Sequence, residues 1–152
     1  MLIPKIHDLV PHKGEMNLID EIQTITENQL QATADLSKPN IFFSNSGLLP
    51  CFVGIEYLIQ GFSALAGYKR YLEGLKPNIG LLLGTKRCEV HFPLFPLDSV
   101  LQICVNEVFA EEPIGVMDGQ ITVNDIVFVE GRFKAYQPKN IQNLENILMG
   151  RH

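Results

Sequence analysis

Residues 50–72, PCFVGIEYLIQGFSALAGYKRYL, read as one long and almost wholly apolar helix, and any fold for this chain has to find cover for it. Projected at roughly 100° per residue, Glu56, Gln60, Ser63 and Gly67 fall within about 60° of one another. Phe52, Ile55, Leu58, Ile59, Phe62 and Leu65 occupy most of the remaining circumference. A carboxylate therefore rides on a cylinder with little polar face. Burying an unpaired ionised carboxylate costs several kcal/mol, so Glu56 is expected to be desolvated, with a raised pKa, a hydrogen-bond partner or a functional role that offsets the cost.

The sequence on both sides of this helix has strand periodicity. Met16, Leu18, Ile19, Ile22 and Ile25 predict a first strand, and Glu27-Asn28 a turn. Leu30, Ala32, Ala34 and Leu36 then alternate with polar residues as a half-buried second strand, which Lys38-Pro39-Asn40 breaks. Pro50 suits a first helical turn, and Glu73-Gly74 with Pro77 suits a helix end. Beyond it, Ile79 to Phe92 reads as a long strand, Pro93, Pro96 and Asp98 as an edge or turn, and residues 99–109 as a cleanly alternating strand. Residues 114–123 and 126–136 read as a hairpin turning at Asn124-Asp125. A short helix or turn over 4–10 ends at Pro11, and 138–152 form a short C-terminal helix or mobile tail.

Two strands, one long helix and four strands predict an α+β fold, with about six antiparallel strands in one sheet wrapped around a central helix. The expected organisation is a single domain over 1–152. Gly54, Gly61, Ala64, Ala66 and Gly67 let strands approach the helix closely, at a cost in helix propensity of up to ~1 kcal/mol for each Gly. The free edges of such a sheet invite pairing with a second subunit.

With 152 residues, 46% hydrophobic and 19% charged, the chain has enough apolar material for one continuous core. A net charge of -5 without any Lys/Arg block argues against nucleic-acid binding. Lys69, Arg70, Lys76, Lys86 and Arg87 do cluster in sequence, either as a solvated rim near a helix end or as a docking patch for an acidic partner. The N-terminus carries no signal-like apolar run, and Glu56, Gln60 and Ser63 interrupt the helix, so no membrane span and a cytoplasmic location are expected. Cys51, Cys88 and Cys104 lack a CxxC or Cys/His pattern and are expected as reduced thiols. Cys51, near a helix start, is a minor candidate nucleophile.

Four segments carry a family resemblance. VPHKGEMNLIDEI, PCFVGIEYLIQ, KRCEVHFPLFPLDSV and VFVEGRFKAY resemble, in order, the opening segment, the helix signature, the strand-and-turn and the closing strand of the hotdog-fold β-hydroxyacyl-(acyl carrier protein) dehydratases. Pro50, Glu56 and Gln60 match the helix signature, and Pro93, Pro96 and Asp98 the turn. The catalytic Gly-His-Phe-Pro segment of that family is absent, since the corresponding interval, FFSNSGLLPCFVGI, contains no histidine. The chain is more similar to the divergent ApeP-type branch found in aryl polyene gene clusters. Pro11, His12, Gly14, Met16, Asp20, Val53, Gly54, Ile55, Glu56, Tyr57, Gln60, Gly67 and Tyr68 carry that likeness.

The resemblance implies a lyase that dehydrates β-hydroxyacyl thioesters in fatty acid or polyene/polyketide-type biosynthesis, with no metal and no cofactor. It implies an acyl carrier protein or CoA thioester as partner, and a homodimer or a heterodimer with another hotdog dehydratase. Such chemistry needs a base for the proton α to the carbonyl, an acid for the departing β-hydroxyl, and donors for the thioester oxygen. Glu56 is the candidate acid. The amides of Phe52, Val53 and Gly54 at the helix start are the candidate donors, and Gln60 is placed to orient the carboxyl. Among the histidines, His7 and His152 lie in terminal stretches and His91 reads as surface, which leaves His12 as candidate base. Its alternative reading is a turn cap or packing residue, and Asp20 reads equally as a strand-end partner. Two other functions stay open: a hotdog acyl thioesterase, with Glu56 activating water, and a catalytically silent subunit of a hetero-oligomeric dehydratase.

Overall fold

Six antiparallel strands form one sheet in the order β1-β2-β4-β5-β6-β3. The strands are β1 Glu21–Ile25, β2 Gln29–Asp35, β3 Leu81–Val90, β4 Val100–Glu111, β5 Ile114–Val123 and β6 Ile126–Tyr136. A short helix α1, Ile6–Leu9, precedes them, and the long helix α2, Gly54–Leu72, lies between β2 and β3 in sequence. The computed structural model describes residues 3–10, 17–38, 42, 47–77, 81–111, 113–136 and 150. His12 and the expected C-terminal helix over 138–152 lie outside the described residues.

Alternation sets which face of the sheet is dry. Leu30, Ala32 and Ala34 of β2, Leu101, Ile103 and Val105 of β4, Met117, Ile121 and Val123 of β5, and Val129 and Phe133 of β6 are buried. They cover one side of α2, whose Tyr57, Leu58, Phe62, Ala64 and Leu65 complete the core. The α+β architecture expected from the sequence is the one observed. The β5–β6 turn is made by Asn124 and Asp125 with φ of 50° and 66°, the left-handed pair that a two-residue hairpin of type I′ requires.

The glycines on α2 do what their spacing suggests, against different neighbours. A Cβ on Gly61 would lie 2.7 Å from Val105 Cγ2, so this turn of the helix sits directly on β4. At Gly67 the neighbour is not a strand. A Cβ there would lie 1.9 Å from the carbonyl oxygen of Leu9, so the end of α1 is pressed backbone to backbone onto the helix.

Among the described residues, strand β3 is a sheet edge, hydrogen-bonded to β6 alone and interrupted by two register shifts. Its Leu82, Leu83 and Val90 are exposed, as are Phe92, Leu94 and Leu97 just beyond it. Between these apolar ends the strand carries Lys86, Arg87 and Glu89, exposed charges of the kind that blunt an open sheet edge.

Candidate active site

The start of α2 is anchored to the segment that follows β3. Leu49 accepts a hydrogen bond from the Phe95 N–H and the Cys51 N–H donates to Pro93 O, both at 3.0 Å, while Pro50 and Leu94 form an isolated antiparallel bridge. Pro50 itself is extended, with φ -64° and ψ 141°, and the chain then enters a 3-10 turn over Cys51–Val53 before α2 begins. Gly54 meets the sheet directly: a Cβ there would lie 3.0 Å from both Ile121 Cδ1 and Val129 Cγ2. The helix start is therefore held between β5, β6 and residues 93–95.

The 3-10 turn changes which amides are available. The Val53 N–H donates back to Pro50 O at 3.1 Å, and the Gly54 N–H to the carbonyls of Cys51 and Phe52. Of the three amides expected to face a substrate, two are thus turned into the chain. Only the Phe52 N–H has no acceptor among the described residues. Its side chain is 66% exposed and projects from the end of the helix.

Glu56 is exposed, which corrects the expectation of a carboxylate desolvated within this chain. The reason lies in how the helix is covered. The sheet takes one side, and α1 with the segment leading into β1 takes a second. A third stripe, Phe52, Ile55, Glu56, Ile59, Ser63 and Ala66, is left exposed or half-buried. It contains the carboxylate and two isoleucines together, and only strand-by-strand placement, not helical projection, distinguishes it from the core face.

Gln60 is 3% exposed, and its Oε1 accepts the Leu18 N–H at 2.8 Å. One turn from Glu56, it pins the strand entering β1 to the helix. Replacing it with Leu leaves the Leu18 N–H buried without its acceptor, a loss of about 1–3 kcal/mol, to be read as a lowered midpoint in chemical denaturation. Asp20 acts at a strand end, where its Oδ2 accepts the Asp35 N–H at 2.6 Å. Cys51 is fully buried and burial pushes its thiol up to about 11, so it holds no thiolate near neutral pH and the nucleophile reading falls.

The basic residues that cluster in sequence separate in space. Lys69 donates to Glu107 at 2.6 Å and the Arg70 Nε to the carbonyl of Lys76 at 2.6 Å. Both work at the end of α2, while Lys86 and Arg87 stand exposed on the edge strand. Among the other histidines, His7 is exposed on α1 beside Asp8, and His91 is exposed at the end of β3.

A family model for ApeP-like proteins, described as ApeP dehydratase, matches residues 4–146. The chain belongs to this ApeP-like family. Among curated protein sequences none is a significant match. Among solved structures, the dehydratase heterocomplex ApeI:P from Xenorhabdus doucetiae is similar with a TM-score of 0.86 and 25% identity, covering 96% of this chain and 99% of the matched chain. A hypothetical thioesterase with coenzyme A from Streptococcus pneumoniae is similar at TM-score 0.60 and 17% identity, covering 78% and 88% of the two chains. The PaaI protein of Escherichia coli is similar at 0.60 and 13%, covering 77% and 82%. The latter two share the hotdog fold with this ApeP-like chain. No helix among the described residues is long and apolar enough to cross a membrane.

Proposed function

We propose that the chain supplies the carboxylate half of a β-hydroxyacyl thioester dehydratase, and that a second hotdog subunit covers the site. The exposure of Glu56 carries this reading. In the isolated chain the carboxylate stands on a stripe with Phe52, Ile55 and Ile59, and the helix start is bridged to the segment in which exposed Phe92, Leu94 and Leu97 continue the open β3 edge. A second sheet joined at that edge would bury the stripe and form the walls of an apolar acyl tunnel between subunits. The heterocomplex to which the chain is similar supports a mixed assembly.

In the step itself, a base removes the proton α to the thioester carbonyl and the released electron pair becomes the α–β double bond. The β carbon–oxygen bond breaks, and the Glu56 carboxyl transfers its proton to the departing hydroxyl, giving water and an enoyl thioester. The Phe52 N–H, at the positive end of the α2 dipole, is suited to the thioester oxygen as charge builds there. Val53 and Gly54 set the turn that orients it. The base is His12 or a histidine of the second subunit. The thioester is carried by an acyl carrier protein or CoA, and the chemistry calls for no cofactor.

The test offers a β-hydroxyacyl carrier-protein thioester, and the matching enoyl species, to the purified chain alone and with a partner hotdog dehydratase. Interconversion that requires this chain is the expected outcome. Release of free thiol in its place identifies a thioesterase, and equal rates with and without the chain identify a silent subunit. Reversing Lys86 and Arg87 to Glu is expected to raise the KM for the carrier-bound substrate several-fold at low salt, an effect that added salt erases. An unchanged KM returns these residues to ordinary solvated surface.

A further inference from the structure

Side chains of β5, β6 and β3 that point away from α2 meet in rows across the outer face of the sheet. Val129, Gly131 and Phe133 face the core, and Glu130 and Arg132 alternate to the outside. In one row Arg132 clasps Asp118 of β5, with Nε donating to Oδ1 at 2.7 Å and Nη2 to Oδ2 at 2.9 Å. In the next row the register sets Glu130 directly opposite Glu89 of β3. Like charges facing each other across a ladder are destabilising. Among the described residues, the one basic side chain within reach of either carboxylate is the imidazole of His91.

His91 lies one residue past β3 yet stays in the ladder, because its N–H donates to Phe128 O at 2.9 Å. It therefore stands two residues from Glu89, on the same side of the strand. His91 Nε2 is 3.4 Å from Glu130 Oε2 and 3.8 Å from Glu89 Oε2, and one ligand atom from each residue lies within 4.8 Å of the other two. These separations exceed those of well-formed hydrogen bonds. They approach the edges of a coordination tetrahedron, since imidazole nitrogen and carboxylate oxygen at roughly 2.0–2.2 Å from zinc lie about 3.3–3.6 Å from each other.

We propose that Glu89, His91 and Glu130 form a binding site for a divalent transition-metal ion of the zinc type. Two carboxylates and a neutral imidazole balance the charge of a dication, which also relieves the repulsion built into the register. The mixed nitrogen and oxygen ligand set favours zinc over magnesium, which takes oxygen ligands and keeps its water. All three residues are exposed or half-buried, so the ion enters without any opening of the fold and a fourth, solvent-facing position is left for water. Bound there, it would fasten the end of the edge strand β3 to β6.

The test titrates Zn2+, with Mg2+ for comparison, into tag-free protein stripped of metal by chelator dialysis, using calorimetry and thermal unfolding. Saturable one-to-one binding of Zn2+ and a raised unfolding midpoint are expected, with at least tenfold weaker binding in His91→Ala and Glu130→Gln. Glu130→Gln provides the control for folding, because removing one of the facing charges should keep or raise the metal-free midpoint while the zinc response disappears. The proposal is overturned if the wild type shows no saturable Zn2+ binding, if both variants bind as the wild type does, or if Mg2+ produces the same shift.

Discussion

Glu56→Gln is expected to lower the rate of β-hydroxyacyl to enoyl interconversion by about 10²–10⁴-fold, the usual contribution of a positioned general acid, in the proposed assembly with a second hotdog subunit. The amide keeps the shape of the side chain and removes the proton it would give to the leaving hydroxyl. Because Glu56 is exposed in this chain, the unfolding free energy of the free subunit should stay within about 0.5 kcal/mol of the wild type. The fall should appear in kcat with KM little changed, since the acid acts on the transition state and not on binding. A decrease of less than tenfold would remove Glu56 from the acid role. The same assay on His12→Ala decides where the base lies: a comparable fall places it in this chain, and an unchanged rate places it on the second subunit.

The largest effect on stability is expected at Gly67. Alanine there puts a methyl 1.9 Å from Leu9 O and 2.8 Å from Leu9 C, and the obstacle is backbone, so no rotamer change relieves it. Alanine is favoured over glycine in a helix by up to ~1 kcal/mol, but overpacking against a fixed neighbour costs typically about 1–3 kcal/mol and at times more. The clash wins. We expect a loss of about 3 kcal/mol in denaturant unfolding, accompanied by faster amide exchange in α1 as Leu9 and Val10 leave the helix surface. Gly84→Ala is the matched control, with nothing within 4 Å of the new methyl and an expected change within about 0.5 kcal/mol. Equal behaviour of the two variants would mean that α1 is not docked on α2.

Much of the architecture was legible because the periodicities are strong and local. The hairpin over 114–123 and 126–136 and its Asn124-Asp125 turn appear where alternation put them, and the long helix differs only in its first turn, which is 3-10. The family likeness added the proposal of an acid role for Glu56 within PCFVGIEYLIQ. What local pattern could not convey was the direction in which that residue points. Helical projection grouped Glu56 with Gln60 on one face, yet the fold buries Gln60 under Leu18 and leaves Glu56 in solvent, because two unequal covers, a sheet and an N-terminal segment, approach from different sides. The amides of Val53 and Gly54 were misjudged for a related reason: a 3-10 turn spends donors that an α-helical start would leave open. Glu89, His91 and Glu130 were invisible as a group until strand register brought β3 beside β6.

The strand order has a consequence for synthesis. Strand β2 lies between β1 and β4, so the ladder that begins at Asp35 and Val100 joins segments made on either side of the long helix. Ribosomes add roughly 5–20 residues per second, so the open edge of β2 and the sheet-facing surface of α2 wait several seconds before β4 exists. Until β4, β5 and β6 emerge as a local meander, the nascent chain presents a helix with no sheet to cover it, and it is during this interval that a chaperone would have most to protect.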